Sequence, residues 1–226
     1  GCDTARMFCL FAAPPEKDLE WSDQGVEGSF RFLGRVWRLV MDYLEDIQGV
    51  ALPTGAEELD EDLKKLRRKT HQTIRKVTTD IEDRFHFNTA VSAIMELLND
   101  MGLIGPAPGR PHQAEVMRLA LESLTLLLAP IVPHIAEELW RRLGNTESVL
   151  KAAWPGWREE AIEQETVLIV VQVNGKLRSR LRLPVDLADE ELSALALADE
   201  AVQKFVQDRP VKKVVVVKNK LVNVVV

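Results

Sequence analysis

Apolar residues recur along this chain with two different periods, and the change falls near Trp154-Pro-Gly-Trp157. Before that point they return every three or four residues, which lines them up on one stripe of an α-helix. After it they alternate or run on continuously, as in strands. A chain patterned in this way folds into two unlike parts, a set of helices burying one stripe each and then a small sheet. The fold class expected is mainly α, a helical bundle, followed by a small α/β module of ββαββ order. At 226 residues both parts are long enough to bury a core.

The helical part reads as a leading helix followed by a bundle of five. The first covers 3–13, with Asp3 as N-cap and Pro14-Pro15 as the stop, and an irregular link over 16–28 carries Trp21. The second covers 29–48, with Phe30, Leu33, Val36, Trp37, Val40, Leu44 and Ile47 on one stripe and Arg31, Arg35 and Arg38 opposite. A third over 57–83 buries Leu59, Leu63, Leu66, Ile74, Val77 and Ile81 behind an acidic first turn that suits the helix dipole. Its cations Lys64, Lys65, Arg67, Arg68, Lys69, Arg75 and Lys76 are expected mostly to face away from that stripe. A helix over 88–101 closed by Gly102, a Pro/Gly linker over 105–111, and helices over 111–129 and 133–143 complete the bundle.

In the second part, 167–173 is a strand, Asn174-Gly175 a two-residue hairpin turn, and 176–183 a strictly alternating strand. A polar helix over 189–207 and strands over 211–217 and 221–226 follow. The domain boundaries expected are 1–28, 29–160 and 165–226.

Several function classes drop out. The most apolar stretch, 116–132, is broken by Arg118, Glu122 and Pro130, so it is no membrane span, and the first residues lack the pattern of a signal peptide. No methionine opens the chain, which reads as cut from something larger. Cys2 and Cys9 lie about two helical turns apart, too far for a disulfide, and read as reduced residues of a cytoplasmic protein. His71, His86, His112 and His134 are scattered. His134-Ile-Ala-Glu-Glu138 lacks the second histidine of a zinc motif, and His134 is expected near a helix start, satisfying a backbone group. With no glycine-rich phosphate loop, no nucleophile beside a base and no informative carboxylate pair, no catalytic residue, metal site or cofactor is assigned.

Charge carries the positive signal. The net −6 is unevenly spread: from Glu165 onward ten Lys/Arg stand against eight Asp/Glu, net +2, and the rest holds 19 against 27, net −8. In Lys176-Leu-Arg178-Ser-Arg180-Leu-Arg182-Leu183, strict alternation puts all four cations on one face and Leu177, Leu181 and Leu183 into the core. Successive cations would lie about 6–7 Å apart, a spacing that suits a row of phosphates. The plainer reading is a solvated strand whose cations discourage edge pairing. Lys212, Lys213, Lys218 and Lys220 add charge to the other hairpin, and Asn174 is the candidate for reading a base. On the second helix, Arg31, Arg35 and Arg38 form another candidate surface unless Asp42 and Glu45 pair with them. The run from Lys64 to Lys76 reads first as a solvated helix face. Of the five tryptophans only Trp21 and Trp157, beside loops, are placed to stack on a base.

Four stretches resemble the leucyl-tRNA synthetases of bacterial type. They are Asp3-Thr-Ala-Arg6 through Ala12-Ala-Pro-Pro-Glu-Lys-Asp-Leu-Glu-Trp21 to Gly28; Phe87-Asn-Thr-Ala-Val-Ser-Ala-Ile-Met-Glu-Leu-Leu-Asn99; Ala129-Pro-Ile-Val-Pro-His-Ile-Ala-Glu-Glu-Leu-Trp140; and Val171-Gln-Val-Asn-Gly-Lys-Leu-Arg178. The second and third are shared loosely with the isoleucyl, valyl and methionyl enzymes. One departure is Gly34, where family members commonly carry asparagine. The resemblance implies a stem-contact piece at 1–28, a helical domain of anticodon-binding type at 29–160, and a C-terminal tRNA-binding domain that clamps the corner and long variable arm. The family attaches leucine to tRNA(Leu) with ATP, using HIGH and KMSKS motifs and an editing domain that do not occur in these residues. ATP and leucine would therefore be handled elsewhere in the polypeptide, and this part alone is expected to be inactive. The expected partners are tRNA(Leu) and the remaining domains of the same polypeptide, in a cytoplasmic monomer. Two other readings stay open: the tail of another class I synthetase, and a salt-insensitive protein-interaction module in which the valine-rich strands pair with a partner's edge.

Overall fold

The computed structural model describes residues 1–53, 59–105, 107, 109–162, 166–185, 187–206, 209–218 and 220–226. These divide into two compact units, Gly1–Ile162 and Glu163–Val226. Part of the acidic turn expected at 57–62, the middle of the Pro/Gly linker, and Gln207 and Asn219 lie outside the described residues.

The first unit contains α1 (Cys2–Ala12), α2 (Asp23–Ile47), α3 (Glu61–Glu82), α4 (Phe87–Ile104), α5 (Gln113–Leu128), α6 (Pro133–Arg142), a 3-10 turn (Val149–Lys151) and α7 (Glu159–Ile162). One core joins α1–α6, built on Leu33, Val36, Val40, Leu63, Leu66, Ile74, Ile94, Leu97, Met117, Leu121 and Leu124, and Val149 of the 3-10 turn packs separately with Ala129, Ala136 and Trp140. Among the described residues no helix is long and apolar enough to cross a membrane.

Several expectations need correction. Helix α2 begins six residues before Ser29, because the Ser22 hydroxyl accepts the Gly25 N–H and starts the helix there. Gly25 permits the approach of α1: a Cβ on it would lie 2.6 Å from the Phe8 ring. The buried stripe runs through Ser29, Phe32, Leu33, Val36, Val40, Tyr43 and Ile47, so Phe30, about 100° off its centre, is 64% exposed. Helix α4 continues through Gly102 and ends at Gly105, whose φ of 63° supplies the left-handed backbone of the stop. On α3, Arg67 is buried on the face toward Thr70, His71 and Ile74 rather than solvated.

Asp3 does not cap its own helix. Its carboxylate crosses to the start of α6, accepting the Ile135 N–H at 2.8 Å and contacting His134 Nδ1 at 2.9 Å and Arg6 at 3.0 Å. His134 thus lies at a helix start, as expected, but the aspartate satisfies the backbone. Burial alone would raise the Asp3 pKa; the hydrogen bonds from His134, Ile135 and Arg6 outweigh it and bring the carboxyl below its ordinary value of 3.8. A depressed carboxyl stabilises the fold above its unfolded pKa, and this contribution is lost as pH falls through the folded value. Asp3→Ala is expected to cost about 1–2 kcal/mol at neutral pH and less at pH 3, measured by urea unfolding.

The second unit contains β1 (Thr166–Val173), β2 (Lys176–Pro184), α8 (Asp189–Ala198), α9 (Glu200–Val206), β3 (Lys213–Val217) and β4 (Leu221–Val225). The sheet order is β2-β1-β4-β3, with β1 and β4 parallel and the other pairs antiparallel. Ile169, Val171, Val173, Val222 and Val224 meet Leu192, Ala196 and Val202 of the helices in a separate core. The single helix expected over 189–207 is broken at Asp199, which is extended and whose carboxylate accepts the Val202 N–H to start α9.

Candidate nucleic-acid interface

The hairpin turn sets the geometry of the basic strand. Asn174 and Gly175 both have positive φ, 50° and 75°, as a type I′ turn needs. Across so short a turn Val173 and Lys176 pair directly and share a face, the one buried against the helices. The ladder then skips a residue: Leu177 pairs with Gln172 but Ser179 with Val171, leaving Arg178 as the extra residue of a β-bulge.

The bulge overturns the four-cation ridge. Lys176 lies on the helix-covered face at its rim. Arg178 stacks on the ring of Phe205 in α9, its guanidinium carbon 3.7 Å from the ring centre and its Nε enclosed without a hydrogen bond. Leu177, expected in the core, is on the open face and 46% exposed. Beyond the bulge Ser179, Leu181 and Leu183 turn inward, and Arg180 and Arg182 turn outward. Only these two of the four share the open face.

Register places the other cations. The β3–β4 turn, with Lys218 and Lys220, lies at the end of the sheet where Arg182 pairs with Leu168: Val170 donates its N–H to the Lys220 carbonyl and pairs with Arg180 on its other side. Arg180, Arg182, Lys218 and Lys220 therefore gather around Leu168, which is 53% exposed. Lys176, Lys212 and Lys213 gather at the opposite end, by the Asn174–Gly175 turn. Between the two ends the open face carries the aliphatic Val170, Val215, Val217 and Leu221 and the amides Gln172 and Asn223. Among the described residues it carries no carboxylate by register, whereas Asp189, Glu190, Glu191, Asp199 and Glu200 all belong to the helical side. Among the described residues the helical side thus holds the carboxylates together with Lys176, Arg178 and Lys204, and the open face holds Arg180, Arg182 and Lys213 by register.

Asn174 is committed to structure: its side-chain oxygen accepts the Val226 N–H at 3.1 Å, as Asn223 accepts that of Gly175 at 3.0 Å. Strand β4 is already paired on both sides, so only β3 of the valine-rich strands offers an open edge.

In the first unit, Arg31, Arg35 and Arg38 are all exposed on α2. Arg31 pairs with Glu27 at 3.5 Å and Arg35 donates to Asn99 at 2.6 Å; among the described residues neither Asp42 nor Glu45 pairs with any of the three. On α3, Lys64, Lys69, Arg75 and Lys76 are each paired with a carboxylate. Trp21 is 63% exposed, packed edge-on to Phe8, while Trp157 donates to Glu159. Sequence reasoning missed Leu168 and Leu177, which border the cations on the open face. Gln172, a polar residue in an otherwise apolar strand, was the signal marking that face.

A family profile described as "Anticodon-binding domain of tRNA ligase" matches residues 64–193. The whole chain is 56% identical to 27% of the leucine–tRNA ligase of Syntrophobacter fumaroxidans, and 54% identical to 26% of that of Desulfatibacillum aliphaticivorans. It spans about a quarter of the length of these curated relatives, in their C-terminal portion. Among solved structures, the chain is similar throughout its length to 28% of the LeuRS of Agrobacterium radiobacter K84, crystallised in a ternary complex with tRNA and LeuAMS, with 32% identity and a TM-score of 0.69.

Proposed function

The chain belongs to the family of anticodon-binding domains of tRNA ligases, and from that premise we propose that it is the tRNA-holding part of a leucine–tRNA ligase. The whole enzyme attaches leucine to tRNA(Leu) with ATP in the cytoplasm, as a monomer, and these residues position the tRNA. Chemistry and editing belong to the rest of the polypeptide, so the cofactor and amino acid sites lie outside this part. The regions 1–28, 29–160 and 165–226 act as stem contact, helical support and corner clamp.

The observation that carries the reading is the separation of charge across the small sheet. A polyanion is repelled from the acidic helices and drawn to the open face. There Arg180, Arg182, Lys218 and Lys220 take phosphates at one end and Lys212 and Lys213 at the other. Arg178 contributes by fixing α9 against the bulge. Arg31, Arg35 and Arg38 approach the stem side. Phosphate contacts of this kind give affinity and register rather than base choice. The long variable arm supplies the discrimination, because it adds phosphates within reach of the clamp.

The test is competition between tRNAs with a long and a short variable arm at equal salt. We expect at least a tenfold preference for the long arm, lost when residues past Glu165 are removed. Equal binding of the two tRNAs to the whole chain would contradict the assignment.

A further inference from the structure

In the first unit, a cavity of ≈ 260 Å³ lies between α3, α5 and the segment 155–158. Leu119 and Leu126 of α5 make an apolar wall, and His71, Glu122, Ser123 and Arg158 bring polar groups to it. The segment is strapped to α3: Trp154 Nε1 donates to Thr78 Oγ1 at 2.8 Å, and the Arg158 N–H donates to His71 Nδ1 at 3.4 Å. That second bond makes Nδ1 the acceptor and leaves the imidazole proton on Nε2. Glu122 is already engaged, accepting from Arg118 Nε at 2.8 Å.

Among the described residues this corner holds one buried cation with no hydrogen-bonding partner. Arg67, one helical turn from His71 on the same face, is only 5% exposed; among the described residues no hydrogen bond reaches its guanidinium, and its Nε is fully enclosed. Burying a guanidinium without a partner is costly. Its charged neighbours are Arg158, which adds to the positive field, and the exposed Glu160. Burial first, then Arg67 and Arg158, push the His71 pKa down to about 4, so His71 is neutral and can donate from Nε2. The result is a positive field with two neutral donors, His71 Nε2–H and the Ser123 hydroxyl, beside a greasy wall. Phosphate would use the field but not the wall; a hydrocarbon would use only the wall.

We propose that this cavity binds a small organic carboxylate, its oxygens held by His71 and Ser123 in the field of Arg67 and Arg158, its alkyl part against Leu119 and Leu126. The probe is butanoate titrated into the 226-residue chain at constant ionic strength, followed through the His71 ring nitrogens by NMR and amide exchange at 156–158. The expected result is saturable binding, slower exchange of those amides, and a His71 titration midpoint displaced upward from about 4, since a bound anion favours imidazolium. Arg67→Met should weaken binding at least tenfold without lowering the melting temperature, because it removes an unpaired buried charge. Ser123→Val should weaken binding independently, which covers the case of a poorly folding Arg67 variant. Butanamide and inorganic phosphate should not compete. No saturation, competition by either control, or undiminished binding in both variants would overturn the proposal.

Discussion

Reversing Arg180 and Arg182 together to glutamate is expected to lower tRNA affinity about a hundredfold at ~0.1 M salt. The same reversal of Lys176 and Arg178 should cost less than tenfold. The two pairs carry equal charge and sit in one strand, so composition alone predicts no difference. The bulge creates one. Arg180 and Arg182 stand on the open face beside Leu168, Lys218 and Lys220, whereas Arg178 is folded over Phe205 and Lys176 leaves the sheet on the helix side. A charge-assisted contact to phosphate contributes about 1.5 kcal/mol, so losing two gives about two decades. Filter binding or anisotropy on the parent chain and the two double variants would check this. Arg178→Glu should instead show itself in stability, through the lost stacking.

The second large effect lies in the core beneath that face. Val222→Asp should unfold the small module while leaving the helical unit intact. Val222 is fully buried in β4, between β1 and β3, and faces Leu192, Ala196 and Val202. A carboxylate there has no partner, and its burial costs about 4 kcal/mol or more, ionised or protonated. A unit of this size, Glu163–Val226, holds about 3–5 kcal/mol of stability. In a two-dimensional NMR spectrum the signals of the sheet should collapse while those of α1–α6 remain. Preference for the long-arm tRNA should vanish with them.

Much of the fold was legible because burial imposes a period on sequence. The stripe of α3, the helices over 111–129 and 133–143 and the sequence order of strands and helix in the small module follow from spacing and turn residues alone. What was not legible depends on partners far along the chain. Asp3 resembles an N-cap, yet it lies inside α1, which starts at Cys2, and its carboxylate accepts the Ile135 N–H at the start of α6. Phe30 has the spacing of a core residue, but the helix is longer than its apolar run and the stripe is centred elsewhere. The basic strand was misread for a more instructive reason. Alternation within β2 alone puts all four cations on one face, but a two-residue turn ties Lys176 to the face of Val173. Carried through without interruption, that constraint would drive every cation into the core, so the hairpin had to contain a bulge. Gln172 opposite Leu177 marks where the polar face begins. Turn, register and pattern taken together therefore point to the two outward arginines.

The salt dependence of tRNA binding tests the central claim most directly. With four to six phosphates engaged, log affinity should fall against log salt with a slope of about −3 to −5. Replacing Arg180 and Arg182 by glutamine should make the slope shallower by about 2, one unit for each phosphate released, and replacing Lys176 and Arg178 should leave it nearly unchanged. Identical slopes for all three proteins would mean that the open face of the sheet does not carry the RNA.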